Sequence, residues 1–345
     1  MKKLVCLCLM CALLLPCLAM AENVVNVFNW EEYISQDAID LFQQETGITV
    51  NYMRFTTNED MMSKVENSPG SFDVIFPSDY LVQRMTGKGL LVELDYSQIP
   101  NFQYLKASVK NPSYDPNNAH SVPYMGGTLG ILYDPAKVDE ADVHTWGVLW
   151  NEKYRGQVLM MDSLRDAMGI ALKYRGYSMN STDPRELKEA GDLLLKMKTS
   201  GMVKSYGMDD FKDKMVAGEA AMAIVYSGDA QYAVEKRPDL KYVIPDEGSN
   251  IWTDCMVIPK DAKNLENAYR FIDFMCRPDV AIMNTEAIGY ITSNEKAVEE
   301  MGEEYASLYI LNPTEEEIAR MECFNDLDST MLRIYEGLWD RVKSE

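Results

Sequence analysis

Short apolar runs alternate with amphipathic stretches between residues 24 and 76, and this alternation is what most constrains the fold of the chain. The predicted segments are a strand at 24–28, a helix between a capping Ser35 and Gly47, a strand at 48–52, a short helix that Asn58 can cap, and a buried strand at 72–76. Strands that alternate with helices are typical of βαβ units, so we predict an α/β fold with a mostly parallel sheet.

Three predicted strands end abruptly in aromatic and polar residues. The sequences are Asn29-Trp30-Glu31-Glu32-Tyr33, Pro77-Ser78-Asp79-Tyr80 and Tyr226-Ser227-Gly228-Asp229. Ligands of open α/β sheets bind at the carboxyl ends of strands, and an aromatic face beside a carboxylate suits an ammonium group. These strand ends therefore predict a site for a cation. The alternative for the first of them is a tryptophan that only fills the edge of the core.

Two further stretches have the same character. Trp252 and Asp254 are two positions apart in a predicted strand, so they project from the same face. An apolar run at 158–161 breaks into Asp162-Ser163-Leu164-Arg165-Asp166 ahead of a predicted helix. The alternative for this loop is ordinary helix capping by its first two residues.

Residues 1–21 have the features of a secretory signal peptide. Lys2 and Lys3 precede an apolar run, and Ala19-Met20-Ala21 matches a cleavage site. We expect export to the periplasm and cleavage after Ala21. A lipoprotein is the alternative because Leu14-Leu15-Pro16-Cys17 loosely resembles a lipobox, but proline directly before the cysteine disfavours lipid anchoring.

The mature chain, residues 22–345, is longer than the ~250–300 residues at which single cores stop growing, so two lobes are expected. A glycine-punctuated apolar stretch at 122–133 is long enough to cross between them, and residues 256–259 are the expected return crossing. The predicted division places 22–128 plus about 257–300 in the first α/β lobe, and 129–256 plus about 301–345 in the second.

Composition and motifs argue against several function classes. The formal net charge of −21 disfavours nucleic acid or an anionic membrane as a partner. The chain has no G-x-S-x-G, no H-E-x-x-H and no C-x-x-C after the signal segment, so an enzyme is not predicted, and neither a metal nor another cofactor is expected. The mature cysteines, Cys255, Cys276 and Cys323, are compatible with one disulfide or with free thiols.

Taken together, these elements resemble the periplasmic spermidine- and putrescine-binding proteins of bacterial ABC importers over essentially the whole mature chain. The motifs are NWEEY at 29–33, ETGI at 45–48, FDVI at 72–75, PSDY at 77–80, TW at 145–146, LW at 149–150, WTD at 252–254, IP at 258–259, RPDVA at 277–281 and IGY at 288–290. The resemblance implies a periplasmic binding protein fold, with two α/β lobes, crossing hinge strands and a polyamine held in the cleft. It also implies a monomer that delivers its ligand to membrane permease subunits.

The resemblance further implies which side chains bind the polyamine. Aromatic residues would stack on the methylene chain or on an ammonium: Trp30, Tyr33, Tyr80, Trp252, Tyr290, and Tyr226 in the place where the family often has another tryptophan. Asp254 would pair with an ammonium, Asp166 would take the acidic role at the other end, and Ser78 would accept a hydrogen bond.

Three departures from the family pattern leave the ligand open between putrescine and spermidine. Glu31 follows the first tryptophan where the family usually has serine or threonine, which adds a carboxylate. Ser163 stands where spermidine binders tend to carry an acid, which removes one and favours a diamine. Near Phe324-Asn325-Asp326 the glutamine contact of the family has no clear counterpart.

Two other functions are kept as alternatives. One is a protein of the same fold that binds a ferric ion or an amino acid, and the other is a polyamine sensor subunit. A ligand with a carboxylate would need an arginine in the cleft, and within the strand-end loops only Arg165 offers one.

Overall fold

The computed structural model describes residues 23–344, so the predicted signal peptide lies outside the described residues. The strands are β1 Val24–Trp30, β2 Thr49–Phe55, β3 Val74–Ile75, β4 Ser121–Tyr133, β5 Val158–Met161, β6 Val203–Gly207, β7 Met222–Tyr226, β8 Lys241–Val243, β9 Ile251–Val257 and β10 Ile291–Thr292. The helices are α1 Gln36–Thr46, α2 Asn58–Asn67, α3 Asp79–Gly87, α4 Leu164–Tyr174, α5 Pro184–Thr199, α6 Asp210–Val216, α7 Ser227–Lys236, α8 Leu265–Met275, α9 Pro278–Ile288, α10 Glu295–Ala306, α11 Glu315–Arg320 and α12 Ser329–Ser344. No helix in this part of the chain combines the length and the apolar composition that would suit a bilayer.

The strands follow the order β2-β1-β3-β9-β4-β7-β5-β6, and β8 and β10 also pair with β4. β1 pairs in parallel with β2 and β3, and β5 pairs in parallel with β6 and β7. The predicted α/β fold is confirmed for both groups of strands. Between them, β4 and β9 run antiparallel.

β4 belongs to both lobes. Residues 121–128 pair with β9, whereas residues 129–133 pair with β7. We call β1–β3, β9 and the first part of β4 the sheet of the first lobe, and β5–β8 with the rest of β4 the sheet of the second lobe. The predicted crossing strand is therefore present. β9 joins the first sheet from Ile251 onward, several residues before the return crossing expected at 256–259. The exact boundaries of the two lobes stay a prediction.

Alternate residues of a strand point to opposite faces of its sheet, and both sets include buried apolar residues here. Helices therefore cover both faces of each sheet. In β1, Val27 packs with Phe42 of α1 on one face and Phe28 packs with α2 and α3 residues on the other. In β4, Ile131 and Leu132 likewise enter two separate cores of the second lobe. The carboxyl ends of the parallel strands are left to form the rim of the cleft.

Two local differences from the prediction affect this rim. The first strand continues through Trp30, which is therefore its last residue and not part of a loop. The N-cap of α2 is Thr57, whose hydroxyl accepts a hydrogen bond from the backbone N–H of Asp60. Asn58 does not cap the helix because its buried amide hydrogen-bonds Ser78 and Tyr80 instead.

Candidate functional site

Trp30 is held at the end of β1 by the core of the first lobe. Its indole Nε1 donates a hydrogen bond of 2.9 Å to the carbonyl oxygen of Phe76, and its ring centroid lies 4.5 Å from that of Phe55. The side chain is half-buried, whereas the neighbouring Glu31 is exposed. Trp30 thus closes the edge of the core and still presents part of its surface to solvent.

Four other aromatic rings form a continuous path between the lobes. The ring of Tyr226 lies 5.9 Å from that of Trp252, which lies 5.3 Å from that of Tyr290. Tyr290 is in turn 6.0 Å from Tyr33. All three contacts have steep interplanar angles, between 63° and 76°, which is a favourable edge-to-face arrangement.

Two glycines allow these rings to approach the backbone. A Cβ atom on Gly127 would lie 2.6 Å from the indole of Trp252, and one on Gly228 would lie 2.4 Å from the ring of Tyr290. Gly228 belongs to α7 of the second lobe, whereas Tyr290 directly precedes β10, which pairs with the first part of β4. The ring of Tyr290 therefore crosses the cleft, and the lobes are closed around the aromatic path.

Asp254 lies on β9 at the first-lobe end of this path. Its side chain is buried and accepts a hydrogen bond of 2.6 Å from the hydroxyl of Ser78. The amide of Asn58 donates to the Ser78 oxygen and to the Tyr80 hydroxyl, each at 3.0 Å. The hydroxyl of Ser78 is thus oriented to donate its hydrogen bond to Asp254. The same amide of Asn58 fixes the side chain of Tyr80 beside Ser78.

Burial changes the protonation of two neighbouring carboxyl groups. It raises the pKa of Asp254 to about 7, against the opposing effect of the Ser78 hydrogen bond. It also raises the pKa of Asp79 to about 7, and the nearby charge of Asp254 contributes to this rise. Both groups are therefore poised to lose a proton near neutral pH when a cation approaches.

Asp166 lies on the second lobe, in the first turn of α4. Its Oδ2 accepts hydrogen bonds from the hydroxyls of Ser163 and Tyr226, the latter at 2.9 Å. Ser163 is also the N-cap of α4, so the capping role considered from the sequence is correct for this residue. Burial raises the pKa of Asp166, although both hydroxyls act in the opposite direction.

Three buried polar atoms of this region have no hydrogen-bond partner within residues 23–344. They are Asp166 Oδ1, Tyr33 Oη and Trp252 Nε1. Burial, and after it the nearby charge of Asp254, raises the pKa of Tyr33, although the Tyr33 hydroxyl has no partner within hydrogen-bond geometry. Buried polar atoms are normally paired, so unpaired acceptors such as the Asp166 oxygen suit a guest that donates hydrogen bonds. We call the residues of this region the cleft cluster: Tyr33, Asp166, Tyr226, Trp252, Asp254 and Tyr290.

Comparison with known proteins places the chain in a family. Residues 37–311 match the family model described as bacterial extracellular solute-binding protein. The chain belongs to this family.

Individual relatives cover nearly the whole solute-binding protein. The spermidine/putrescine-binding periplasmic protein of Escherichia coli (strain K12) is 34% identical over 324 residues, which cover 94% of this chain and 92% of that protein. A putrescine-binding periplasmic protein of Pseudomonas aeruginosa is 31% identical, covering 94% of this chain and 93% of that protein. A spermidine/putrescine ABC transporter substrate-binding protein from Streptococcus pneumoniae superposes with a TM-score of 0.84 at 37% identity, covering 93% of this chain and 98% of that chain. The predicted resemblance and the extracytoplasmic solute-binding role are confirmed.

Sequence reasoning missed two residues that shape the site of this solute-binding protein. Asp79 was read only as part of a strand-end motif, yet it is a buried carboxyl group whose oxygens accept the backbone N–H groups of Tyr80 and Thr253. The other residue is Asn58, for which the local sequence predicts only a helix cap, although its buried amide donates to Ser78 and Tyr80. The position of Asp79 in the run that follows β3 was the one sequence signal for its role in the site. Its burial could not be predicted, because its partner Thr253 is remote in sequence.

Arg165 lies beside the cleft cluster of the solute-binding protein, and its charge is among the effects that oppose the burial-driven rise in the pKa of Asp166. Its guanidinium lies 4.4 Å from the centroid of the Phe324 ring and donates to the carbonyl oxygen of Asn325. Burial lowers its pKa. These contacts occupy the outer nitrogens of the guanidinium, whereas its buried Nε has no hydrogen-bond partner within residues 23–344.

Proposed function

We propose that this solute-binding protein captures a polyamine, putrescine and/or spermidine, and delivers it to the permease subunits of an ABC importer. The observation that carries the proposal is the cleft cluster, in which Asp254 on one lobe and Asp166 on the other flank a path of aromatic rings. Such a site matches a chain of methylenes with an ammonium at each end. The names of its relatives, which are spermidine- or putrescine-binding proteins, support the same ligand class.

The energetics of such a site are adequate for tight binding. Each buried methylene contributes about 0.8 kcal/mol, and a desolvated cation–π contact contributes about 2 kcal/mol. A handful of these contacts reaches the roughly −8 kcal/mol of micromolar affinity after association costs are subtracted. Carboxylate–ammonium hydrogen bonds at the two ends would set the length and charge of the preferred ligand.

The proposed ligand-binding set keeps all residues predicted from the sequence. It comprises Trp30, Glu31, Tyr33, Ser78, Tyr80, Ser163, Asp166, Tyr226, Trp252, Asp254 and Tyr290. Within this set, Ser78 and Ser163 act by orienting Asp254 and Asp166 through their hydroxyl groups. We further propose that the protein works as a monomer in the periplasm after cleavage behind Ala21.

A thermal-shift panel tests the ligand class directly. The panel contains putrescine, cadaverine, spermidine, spermine, basic amino acids and ferric ion. A ligand that binds only the native state must raise the melting temperature, so we expect shifts with putrescine or spermidine. Shifts with an amino acid or ferric ion alone would support the alternative ligands, and no shift with any polyamine would reject the proposal.

Polyamine affinity is expected to fall as the pH drops below about 7. Burial raises the pKa of Asp254 to about 7, so at lower pH this carboxyl group holds a proton that a bound ammonium must displace. The ligand stays protonated throughout, because alkylammonium groups titrate near 10. Titration calorimetry at pH 6.0 and 7.5 should give a dissociation constant about three- to ten-fold higher at the lower pH.

The contribution of the buried carboxyl groups Asp79 and Asp254 to the stability of the protein without ligand should follow the opposite trend. A carboxyl group with a raised folded-state pKa binds more protons in the folded than in the unfolded state. The free energy of unfolding contributed by Asp79 and Asp254 is therefore largest below pH 4 and falls as the pH rises toward 7. Carboxyl groups such as Asp192, whose pKa is lowered by hydrogen bonds from Lys188 and Arg341, act in the opposite direction, so the test compares Asp254→Asn with the wild type. A difference in the free energy of unfolding that stays constant between pH 4 and pH 7 would contradict this assignment.

Glu31 is expected to adjust the choice between polyamines. An exposed carboxylate in high-dielectric surroundings contributes little, so Glu31→Gln should weaken spermidine binding by only about two- to five-fold. Putrescine binding should change less because its two ammonium groups are served by Asp254 and Asp166. Glu32→Gln is the matched control, since it removes an equally exposed carboxylate one residue further along. Equal effects of the two variants on both ligands would argue against a role for Glu31 in selectivity.

A further inference from the structure

The segment between α11 and α12, residues 322–326, is fastened to the second lobe. The amide of Asn180 donates to the carbonyl oxygen of Cys323 at 2.8 Å, and its oxygen accepts the backbone N–H of Asn325 at 2.7 Å. Leu327 follows directly and is buried in the core that contains β5. Glu322 also pairs with Asn250 and Ile251 at the start of β9, near the crossing between the lobes. Asn325 and Leu327 are held by the second lobe, so we expect the end of the segment to move with that lobe.

Asp326 reaches from this segment to α3 of the first lobe. Its Oδ1 lies 2.6 Å from Nη2 of Arg84 and 2.8 Å from Nε of the same guanidinium. The backbone N–H of Asp326 donates to the side-chain oxygen of Gln83 at 3.0 Å. α3 itself is anchored by Leu81 and Met85, which are buried in the core of the first lobe. Two adjacent residues of α3 thus hold one residue of the other lobe.

This inter-lobe ion pair differs from a neighbouring ion pair that lies within one lobe. The side chains of Arg84 and Asp326 are 22% and 25% exposed. Lys88, just beyond α3, pairs with Glu66 of α2 at 2.6 Å, but these side chains are 49% and 40% exposed. Solvent screens the second pair more strongly, and its formation does not depend on how the lobes are arranged.

We propose that Arg84 and Asp326 form a latch that holds the lobes closed, so that this pair raises ligand affinity without contacting the ligand. The lobes are joined by the crossing strand β4, and opening of the cleft would move α3 away from residues 322–326. A contact made only in the closed state increases the closed population, and affinity rises with the population of the binding-competent state. The latch is a property of lobe closure in the protein without ligand. It rests on the proposed function only for the choice of ligand in the binding measurement.

Cys323 provides a reporter of the latch in the mature protein without ligand. It is partly exposed and close to Asp79 of α3, whereas Cys255 and Cys276 are 0% and 2% exposed. Arg84→Gln should raise the rate of maleimide alkylation of Cys323 by about three- to ten-fold, because the open arrangement becomes more populated. Lys88→Gln should leave the rate unchanged, and Cys323→Ser should abolish the rapid phase. An unchanged rate in Arg84→Gln would overturn the latch.

A double-mutant cycle tests whether the two residues act as one unit. Arg84→Gln and Asp326→Asn should each weaken putrescine binding by about three- to ten-fold, and the double variant should be no weaker than either single variant. Fully additive losses would overturn the latch, as would an affinity unaffected by either change. If the wild-type protein binds no polyamine, the proposed function fails, but the alkylation rates still decide the latch.

Discussion

Replacing Asp254 by asparagine is expected to weaken putrescine binding by ten-fold or more. A hydrogen bond to a charged group contributes about 1.5–3 kcal/mol, and about 1.4 kcal/mol already corresponds to ten-fold in affinity. Asparagine keeps the oxygen that accepts the Ser78 hydrogen bond but removes the charge that pairs with the ammonium. Titration calorimetry of the purified variant measures the change.

Two further measurements separate lost binding from lost folding. Asp254→Asn should be at least as stable as the wild type at pH 8, because the wild-type protein must ionise a buried carboxyl group there. Asp115→Asn is the matched control, since Asp115 is an equally buried first-lobe carboxyl that accepts hydrogen bonds from Ser121 and His120, away from the cleft cluster. Unchanged putrescine affinity in Asp254→Asn would remove Asp254 from the site.

Replacing Trp252 by alanine is expected to cost about ten- to a hundred-fold in polyamine affinity. The indole is the centre of the aromatic path, and its removal loses a cation–π contact of about 2 kcal/mol together with the packing of methylenes. Trp252→Phe keeps a ring and should lose less. The measurement is again calorimetric, with the melting temperature recorded for each variant.

Trp150 offers the control for the loss of a large ring. It stacks on Tyr174 at 4.9 Å with an interplanar angle of 8° and donates from Nε1 to the carbonyl oxygen of Leu193, all within the second lobe. Trp150→Ala should lower the melting temperature and leave polyamine affinity nearly unchanged. If both tryptophan variants lost stability and neither lost affinity, the aromatic path would be a structural element only.

Elements with strong local signals were predictable from the sequence. The continuous apolar run Val158–Met161 forms a strand. α1 ends at Thr46, and its C-cap is the predicted Gly47, whose φ of 68° suits glycine. The period of two in β9 also predicted that Trp252 and Asp254 would share one face. In these cases neighbouring residues contain the whole physical reason for the structure.

Features that depend on remote partners could not be predicted in the same way. Asn58 is turned inward because Ser78 and Tyr80 lie across from it, and a local reading gives it only the role of a helix cap. The pairing of Arg84 with Asp326 joins positions that are more than two hundred residues apart. Such contacts follow from the way the two lobes meet, which no local periodicity encodes.

The position of β9 has a consequence for the order in which the chain can fold. β9 lies between β3 and β4 in the first sheet, although it is formed by residues 251–257. The strands near the amino terminus therefore cannot complete their sheet until most of the polypeptide has been synthesised. Such long-range pairing slows folding because a large loop must close first. A nascent chain with this topology stays unfolded for longer, which suits passage through a translocation channel before the cleft is assembled.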